Sequence, residues 1–238
     1  MAGPGFGPYS GNGVMRDLML RFASLGDNCE FGFAQRAYKA EPMDLLRWAS
    51  TPAGVLVRLL RQDFKGIGDN LTIMRHGLAH VVINQHYGFR WHDWTRPEKA
   101  DADAIVARES RRLPAMAAKW RKEMREASRI FVVKQNQQAM PNELALRIHD
   151  AMSAYGEPVL LFVTQAAPVS VTEVRPRLLH GTMPEFANSG GVPSTTKSED
   201  WLKLCEAAAA FVDDHYTVRD QDQAAMAGVP PAPVGATP

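Results

Sequence analysis

Short apolar runs in the second half of the chain predict two buried β-strands with a helix between them. Residues 129–134 and 158–163 each contain at least four consecutive apolar side chains, drawn from Val, Ile, Leu and Phe. Residues 141–155 are typical of a helix, since Pro141 stands near the start and Gly156 follows the end. A strand, a helix and a second strand of continuous apolar character favour a βαβ unit with parallel pairing. The predicted fold is therefore α/β, with a mostly parallel central sheet flanked by helices.

The first half of the chain contains a predicted strand, a sharp turn and a helix in close succession. Residues 18–22 are apolar enough for a buried strand, and the pattern of residues 29–38 predicts a helix. Between them Gly26, Asp27 and Asn28 predict a turn, because glycine and Asx residues tolerate backbone angles that other residues resist. Either Asp27 or Asn28 is a suitable N-cap for the helix.

Further helices and short strands are predicted around this framework. Apolar positions at helical spacing after Pro52 predict a core-facing helix, and Asp44 is a candidate cap for the segment after Pro42. Pro114 is expected to split or kink the long charged helix predicted over residues 99–127, whose charges are interpreted as a solvated face. The remaining predicted elements are a hairpin over residues 71–74 and 79–83, a strand over 174–180 and a helix over 199–214.

The composition divides the chain into one domain with two disordered ends. Residues 1–14 are rich in glycine, and residues 216–238 are rich in Pro, Ala and Gly, which disfavours a packed core. Residues 15–215 are long enough to bury one sizeable core. We therefore predict a single α/β domain over residues 15–215.

Composition and charge argue against several classes of partner. Of the 238 residues, 45% are hydrophobic and 22% are charged, and the net charge is +1. A near-neutral chain lacks the basic excess that is typical of proteins that bind nucleic acid or anionic membrane surfaces. No apolar run approaches the ~20 residues of a membrane span, and the N-terminus lacks the features of a signal peptide. These observations predict a cytoplasmic protein without a nucleic-acid partner or a membrane span.

Metal and cofactor sites have little support in the sequence. Cys29 and Cys205 are too few for a disulfide framework or a zinc site, and Cys205 is interpreted as a small buried apolar residue. The spacing of His76, His80 and His86 fits neither a two-turn helical pair nor a zinc-finger pattern. We therefore expect neither a metal nor another cofactor.

The turn that precedes the first predicted helix is the best candidate for chemistry. Ser24, Gly26 and Asn28 lead directly into Cys29, which would lie in the first turn of that helix. Unpaired N–H groups and the helix dipole favour an anion there, so the thiol could be more acidic than that of an ordinary cysteine. The pattern predicts a thiolate nucleophile at Cys29.

A thiolate nucleophile needs a base, and His92 is the best candidate among the histidines. Histidine titrates near neutral pH, and His92 is followed by Asp93 and flanked by Trp91 and Trp94, which could shield and orient an imidazole. The alternative is that the His-Asp pair only ties a loop by hydrogen bonds. The seven histidines of the chain are His76, His80, His86, His92, His149, His180 and His215.

Two other chemistries are open for the same turn. A glycine turn before a helix can cradle a phosphate, but residues 24–29 have neither a Walker lysine nor a three-glycine fingerprint. Asp27 and Glu30 would also repel an anion. Ser24 is a candidate nucleophile of the kind that lipase-like hydrolases carry in a turn after a strand, although it precedes Gly26 and could simply end the strand.

Three separated segments resemble a bacterial family of uncharacterised proteins described as papain-like cysteine peptidases. The segments are Ser24-Leu25-Gly26-Asp27-Asn28-Cys29, Pro42-Met43-Asp44-Leu45 and His92-Asp93-Trp94. Members of that family carry a Ser-Leu-Gly-x-x-Cys opening, a Pro-Phe-Asp-Trp segment and a His-Asp-Phe segment in the same order. The resemblance covers roughly residues 20–165 and implies a fold that could be a papain-like variant.

This resemblance implies a thiol hydrolase or acyl-transfer enzyme. Cys29 would attack a carbonyl group, His92 would act as general base, and Asp93 or Asp44 would orient the imidazole. The N–H groups of the helix N-terminus around Asn28 would stabilise the oxyanion. The substrate class, which could be a small molecule, a peptide or a glycan, stays open.

Departures from the family pattern leave a second hypothesis open. Met43, Leu45 and Trp94 replace residues of the family motif while keeping their apolar character, which favours the same fold with different substrates. Such domains often accompany enzymes that build surface polysaccharides. The alternative function is a non-catalytic or sugar-related module in polysaccharide biosynthesis, in which Cys29 is a packed core cysteine.

Overall fold

The structure is a computed structural model that describes residues 10–76, 79–93, 95, 99, 101–135, 139–187 and 196–226. The helices of this part of the chain are α1 (Ser10–Leu20), α2 (Glu30–Ala37), α3 (Ala53–Arg61), α4 (Ala102–Arg125), α5 (Asn142–Ser153) and α6 (Ser198–Met226). The strands are β1 (Phe22–Ser24), β2 (Ala49–Ser50), β3 (Leu71–His76), β4 (Ala79–Asn84), β5 (Phe89–Asp93), β6 (Ile130–Lys134), β7 (Val159–Gln165), β8 (Ser170–Arg175) and β9 (Leu178–Met183).

The main sheet has five strands in the order β1-β6-β7-β9-β8. Four of them are parallel, and β8 joins β9 as an antiparallel edge strand. β6, α5 and β7 form the βαβ unit that the apolar runs predict, with Ile130 opposite Val159. The predicted α/β class with a mostly parallel sheet is confirmed.

Helices cover both faces of the central strands β6 and β7, which explains why these two strands are apolar without alternation. Ile130 and Val132 of β6 face a core formed with α1, α2 and α6. Phe131 and Val133 of the same strand face a second core formed with α3, α4 and α5. Because neither face meets water, polar residues at alternate positions would be buried without partners.

A second sheet of four antiparallel strands, in the order β2-β5-β4-β3, extends the second core. The predicted hairpin of β3 and β4 is present, with Leu71 opposite Asn84, and its turn at residues 77–78 lies outside the described residues. β5 places Phe89 and Trp91 in the core, and Ala49 of β2 pairs with Trp91. This second sheet carries His92 and Asp93 to the side of α4.

Several predicted boundaries differ from those of the structure. The strand predicted over residues 18–22 is wrong in position, because residues 18–20 complete α1 and β1 begins at Phe22. Residues 10–14, predicted as disordered, belong to α1, and α6 continues to Met226, past the predicted domain end at residue 215. The predicted disorder of residues 1–9 and 227–238 falls outside the described residues.

α4 continues through Pro114 as one helix, so the predicted split is absent, and the predicted kink stays a prediction. Proline lacks the N–H that would bond the carbonyl of Ser110. Gly68 packs against this carbonyl so closely that a Cβ atom there would lie 2.5 Å from the Ser110 oxygen. A side chain at residue 68 would collide with α4 at this turn, so glycine allows the loop to pack against the helix here.

Candidate functional site

The turn between β1 and α2 adopts left-handed backbone angles, with φ of +93° at Gly26 and +87° at Asp27. A Cβ atom on Gly26 would lie 2.9 Å from the side chain of Thr51, so both angle and space favour glycine. The N-cap position is Cys29, one residue after the predicted Asp27 or Asn28, and Cys29 makes no side-chain bond that caps the helix. The Asn28 Oδ1 atom instead accepts a hydrogen bond from the Glu30 N–H at 3.0 Å.

Ser24 closes this turn from inside the protein. It is 2% exposed, and its hydroxyl oxygen accepts a hydrogen bond from the Gly26 N–H at 3.3 Å. A hydroxyl at the end of a buried strand that bonds its own turn explains the residue without chemistry on a substrate.

Cys29 is buried and its thiol is protonated at neutral pH. Cys29 is 7% exposed, and its Sγ atom donates a hydrogen bond to the carbonyl oxygen of Trp48 at 3.5 Å. Burial raises the pKa of the Cys29 thiol to about 11, and the nearby Arg36 guanidinium lowers this pKa only in part. The environment therefore favours the thiol over the thiolate.

A buried group of charges ties the turn to the end of β6. The Glu30 carboxylate lies 2.9 Å from Lys134 Nζ, and its other oxygen accepts from the Ala187 N–H and the Trp201 indole N–H, both at 3.0 Å. Asp27 lies 3.5 Å from the same Lys134 Nζ. These bonds hold α2, β6 and α6 together at the carboxyl end of the parallel sheet.

Asp44 ties its loop to the residue that precedes β6 through a buried ion pair with Arg129. Its side chain is 0% exposed, and both of its carboxylate oxygens bond the Arg129 guanidinium. Lys119 Nζ lies 3.6 Å from the same carboxylate. Arg129 also donates to the carbonyl oxygen of Phe22, so Asp44 anchors its loop to the start of β1.

His92 and Asp93 lie on opposite faces of β5, because successive side chains of a strand alternate. Asp93 is buried on the face of Trp91, whereas His92 is partly buried. The Asp93 carboxylate bonds the Arg108 guanidinium and accepts from the Thr95 N–H at 2.7 Å. One oxygen of Asp93 therefore bonds the loop after β5, and the other bonds α4. The predicted flanking residue Trp94 lies outside the described residues.

His92 and Asp93 line a cleft of about 340 Å³ between the loop before β2, the end of β5 and α4. The lining residues are Asp44, Leu45, Trp48, Ala49, Trp91, His92, Asp93, Thr95, Glu109 and Arg112. Trp48 is the link to the cysteine, since its carbonyl bonds the Cys29 thiol while the residue also lines the cleft. The structure thus brings His92, Asp93 and Asp44 to one cleft and leaves Cys29 behind Trp48.

The buried carboxylates along one wall of the cleft are paired with arginines of α4. Arg108 joins Asp93 to Glu109, with 3.0 Å between its Nε and Glu109 Oε1, and Arg112 Nη2 lies 2.6 Å from Glu109 Oε2. The Glu109 side chain is only 3% exposed. The two arginines therefore neutralise two buried acids, and Arg112 also lines the cleft.

The sequence interpretation missed Glu109 and Arg112, because it assigned the charges of α4 to solvent. A signal was present in the spacing. Glu109 stands four residues after buried Ile105 and four before buried Leu113, so it lies on the apolar stripe of α4. A carboxylate on such a stripe needs cationic partners, and Arg108 and Arg112 are adjacent on the helix surface.

The described residues contain no group of three or more His, Cys, Asp or Glu side chains arranged to hold a metal ion. Among the described helices, none is long and apolar enough to cross a membrane. Comparisons with protein-family models, with curated proteins and with solved structures find no match to this chain. The family resemblance of the three sequence motifs thus stays a prediction.

Proposed function

We propose that the cleft beside His92 binds a neutral ligand rich in hydroxyl groups, such as a sugar, and that Cys29 is structural. The observation that carries this proposal is the pair of buried, arginine-paired carboxylates of Asp93 and Glu109 beside the partly exposed Arg112 guanidinium in the lining of the cleft. This function corresponds to the sugar-related, non-catalytic hypothesis that the sequence left open.

The charge balance of the cleft favours a neutral ligand. Asp93, Glu109 and Asp44 are each paired with at least one arginine, so neither sign of charge dominates. A free anion would meet three carboxylates, and a free cation would meet guanidiniums. A hydroxyl group suits this wall better, because it donates to a carboxylate oxygen and accepts from a guanidinium N–H at the same time.

The cleft is also held rigid before a ligand arrives. The guanidiniums of Arg36 and Arg47 each lie 4.5 Å from the ring of Trp48, which also packs edge-on against Phe33. Trp91 stacks on Phe89 inside the core. Rigid walls reduce the conformational entropy lost on binding. A volume of about 340 Å³ is near the lower end of ligand pockets, which suits a small molecule.

Saturation-transfer NMR tests this proposal with a defined panel of ligands. Glucose, galactose, mannose and N-acetylglucosamine serve as neutral probes, with glucuronate and glucosamine as charged comparisons. We expect transfer to at least one neutral sugar, its loss in Arg112→Gln, and its retention in Arg111→Gln, which changes an exposed arginine outside the cleft lining. A folded wild-type protein that gives no transfer to any neutral sugar, or prefers the charged ones, refutes the proposal.

Thiol hydrolysis or acyl transfer is the second candidate, and one observation favours it. Cys29 is the N-cap of α2, and its thiol bonds the carbonyl oxygen of Trp48. Trp48 also lines the cleft beside His92. A small displacement of Trp48 would open the thiol to a cleft-bound carbonyl group. His92 would then take the thiol proton, and N–H groups at the start of α2 would stabilise the oxyanion.

The pH dependence of alkylation by iodoacetamide separates the two candidates. A structural Cys29 should react slowly, with a midpoint above the ~8.5 of an ordinary cysteine, and the profile should not change in His92→Ala. A midpoint below ~8.5 that rises in His92→Ala would instead support the enzyme. Cys29→Ser identifies the labelled residue, since Cys205 is fully buried.

A further inference from the structure

We propose a second binding site, for small phosphorylated molecules that carry a ring. It lies in a groove of about 560 Å³ where the C-terminal ends of α3 and α4 meet α5. This site is separate from the proposed sugar cleft, because different parts of α4 line the two sites. We call it the arginine groove, after Arg61, Arg121 and Arg125 in its lining.

The arginine groove carries a surplus of positive charge. Its two acids are already neutralised, because Asp63 pairs with Arg121 at 3.0 Å and Asp150 pairs with Arg175 at 2.5 Å. Within the described part of the chain, Arg61 and Arg125 have neither an ion-pair nor a hydrogen-bond partner. Both are exposed, and both line the same groove. Their charges are therefore available to an anion.

Helix capping explains only part of this arrangement. Arg61 and Arg125 are the last residues of α3 and α4, where a cation stabilises the helix dipole. The dipole would be equally satisfied if the two helices ended far apart. Here both ends meet at one groove, and Arg121 is held in the same groove by bonds to the Asp63 carboxylate and to the Asp63 carbonyl oxygen at 3.2 Å.

The chemistry of the lining selects the ligand class. A guanidinium presents a planar fork of N–H donors that matches the oxygens of a phosphoryl group, and the two available guanidiniums of Arg61 and Arg125 match the two charges of a phosphoryl dianion better than the one charge of a carboxylate. Leu60 and Ala151 add buried apolar surface to the lining. The Tyr155 ring is fixed by a hydrogen bond from its hydroxyl to the Leu60 carbonyl oxygen at 2.7 Å. A phosphoryl group joined to an aromatic or sugar ring satisfies both parts.

Titration with phenyl phosphate, followed by two-dimensional amide NMR on the full chain, tests the arginine groove. We expect saturable shifts for residues of the groove and an affinity at least about tenfold lower in Arg125→Gln and in Arg61→Gln, as for a lost charge-assisted hydrogen bond. Arg111→Gln is the matched control, because it removes an exposed arginine of α4 that lies outside the groove. It should leave the affinity unchanged.

The same titration contains the results that would overturn the proposal. Shifts that do not saturate, or an equal loss of affinity in Arg111→Gln, would mean that phenyl phosphate responds only to overall charge. Benzoate that binds as tightly as phenyl phosphate would remove the case for a phosphoryl group. Inorganic phosphate that binds as tightly would remove the case for a ring. Thermal unfolding of each variant confirms that the fold is retained.

Discussion

Acidification should destabilise this protein through His149, a histidine buried in α5. Arg175 of β8 donates to its Nδ1 atom, with 2.7 Å between Arg175 Nη2 and this nitrogen. Burial and the Arg175 charge lower the pKa of His149 from 6.5 to about 4, against a smaller opposing effect of Asp150. The imidazole is therefore neutral in the folded protein over most of the acidic range.

The sign and size of the effect follow from proton linkage. Below a pH of about 6.5 the unfolded chain binds a proton at His149, and the folded protein does not until the pH approaches about 4. The free energy of unfolding should therefore fall as the pH drops through this window. The predicted loss from this one group is about 2 kcal/mol between pH 7 and pH 5.

Urea unfolding of the wild type and of His149→Gln, at pH 7, 6 and 5, measures this contribution. Glutamine keeps an acceptor for Arg175 and cannot gain a proton, so the variant should lose less stability than the wild type on acidification. The difference between the two proteins removes the contributions of other titrating groups, His180 among them, whose pKa burial also lowers. Parallel pH profiles for the two proteins would refute the reasoning.

Two further substitutions test contacts that hold the site in place. Gly68→Ala should destabilise the protein by about 1–3 kcal/mol in urea unfolding, because the new Cβ atom would lie 2.5 Å from the Ser110 carbonyl oxygen; an unchanged midpoint would contradict this contact. Glu30→Gln should cost about 1–3 kcal/mol, because it removes the nearer carboxylate from Lys134, which is 3% exposed, and leaves the more distant Asp27 carboxylate at 3.5 Å. The double variant that also carries Lys134→Met should recover part of this loss, and no recovery would argue against the pair.

The fold was predictable where one simple pattern determined the outcome. Continuous apolar runs over residues 130–133 and 159–163 belong to strands covered on both faces, and this pattern is typical of buried parallel strands. The start of the chain was less predictable, because apolar residues 18–22 fit a strand and a helix end equally well. Met19 is buried as part of α1, so tertiary packing decided the assignment.

The candidate site was predictable in position but not in its partners. Sequence motifs pointed to Asp44 and Asp93, and both line one cleft. Their roles depend on Arg129 and Arg108, which lie 85 and 15 residues away along the chain. No local pattern predicts these pairings, because they arise only when the loop before β2 meets the start of β6 and the end of β5 meets α4. A charged residue alone does not reveal whether its partner is water, an arginine or a substrate.

Cys29 shows how two opposing effects on one group are decided by their magnitudes. A position at the N-terminus of a helix stabilises an anion by typically 0.3–1 kcal/mol, which corresponds to less than about one pKa unit. Burial acts in the other direction and raises the pKa of this thiol from 9.0 to about 11. The helix position is visible in the sequence, whereas the burial behind Trp48 is a property of the folded protein. Because the larger effect is the one that only the fold creates, the cysteine that looks most acidic in the sequence is a protonated hydrogen-bond donor in the structure.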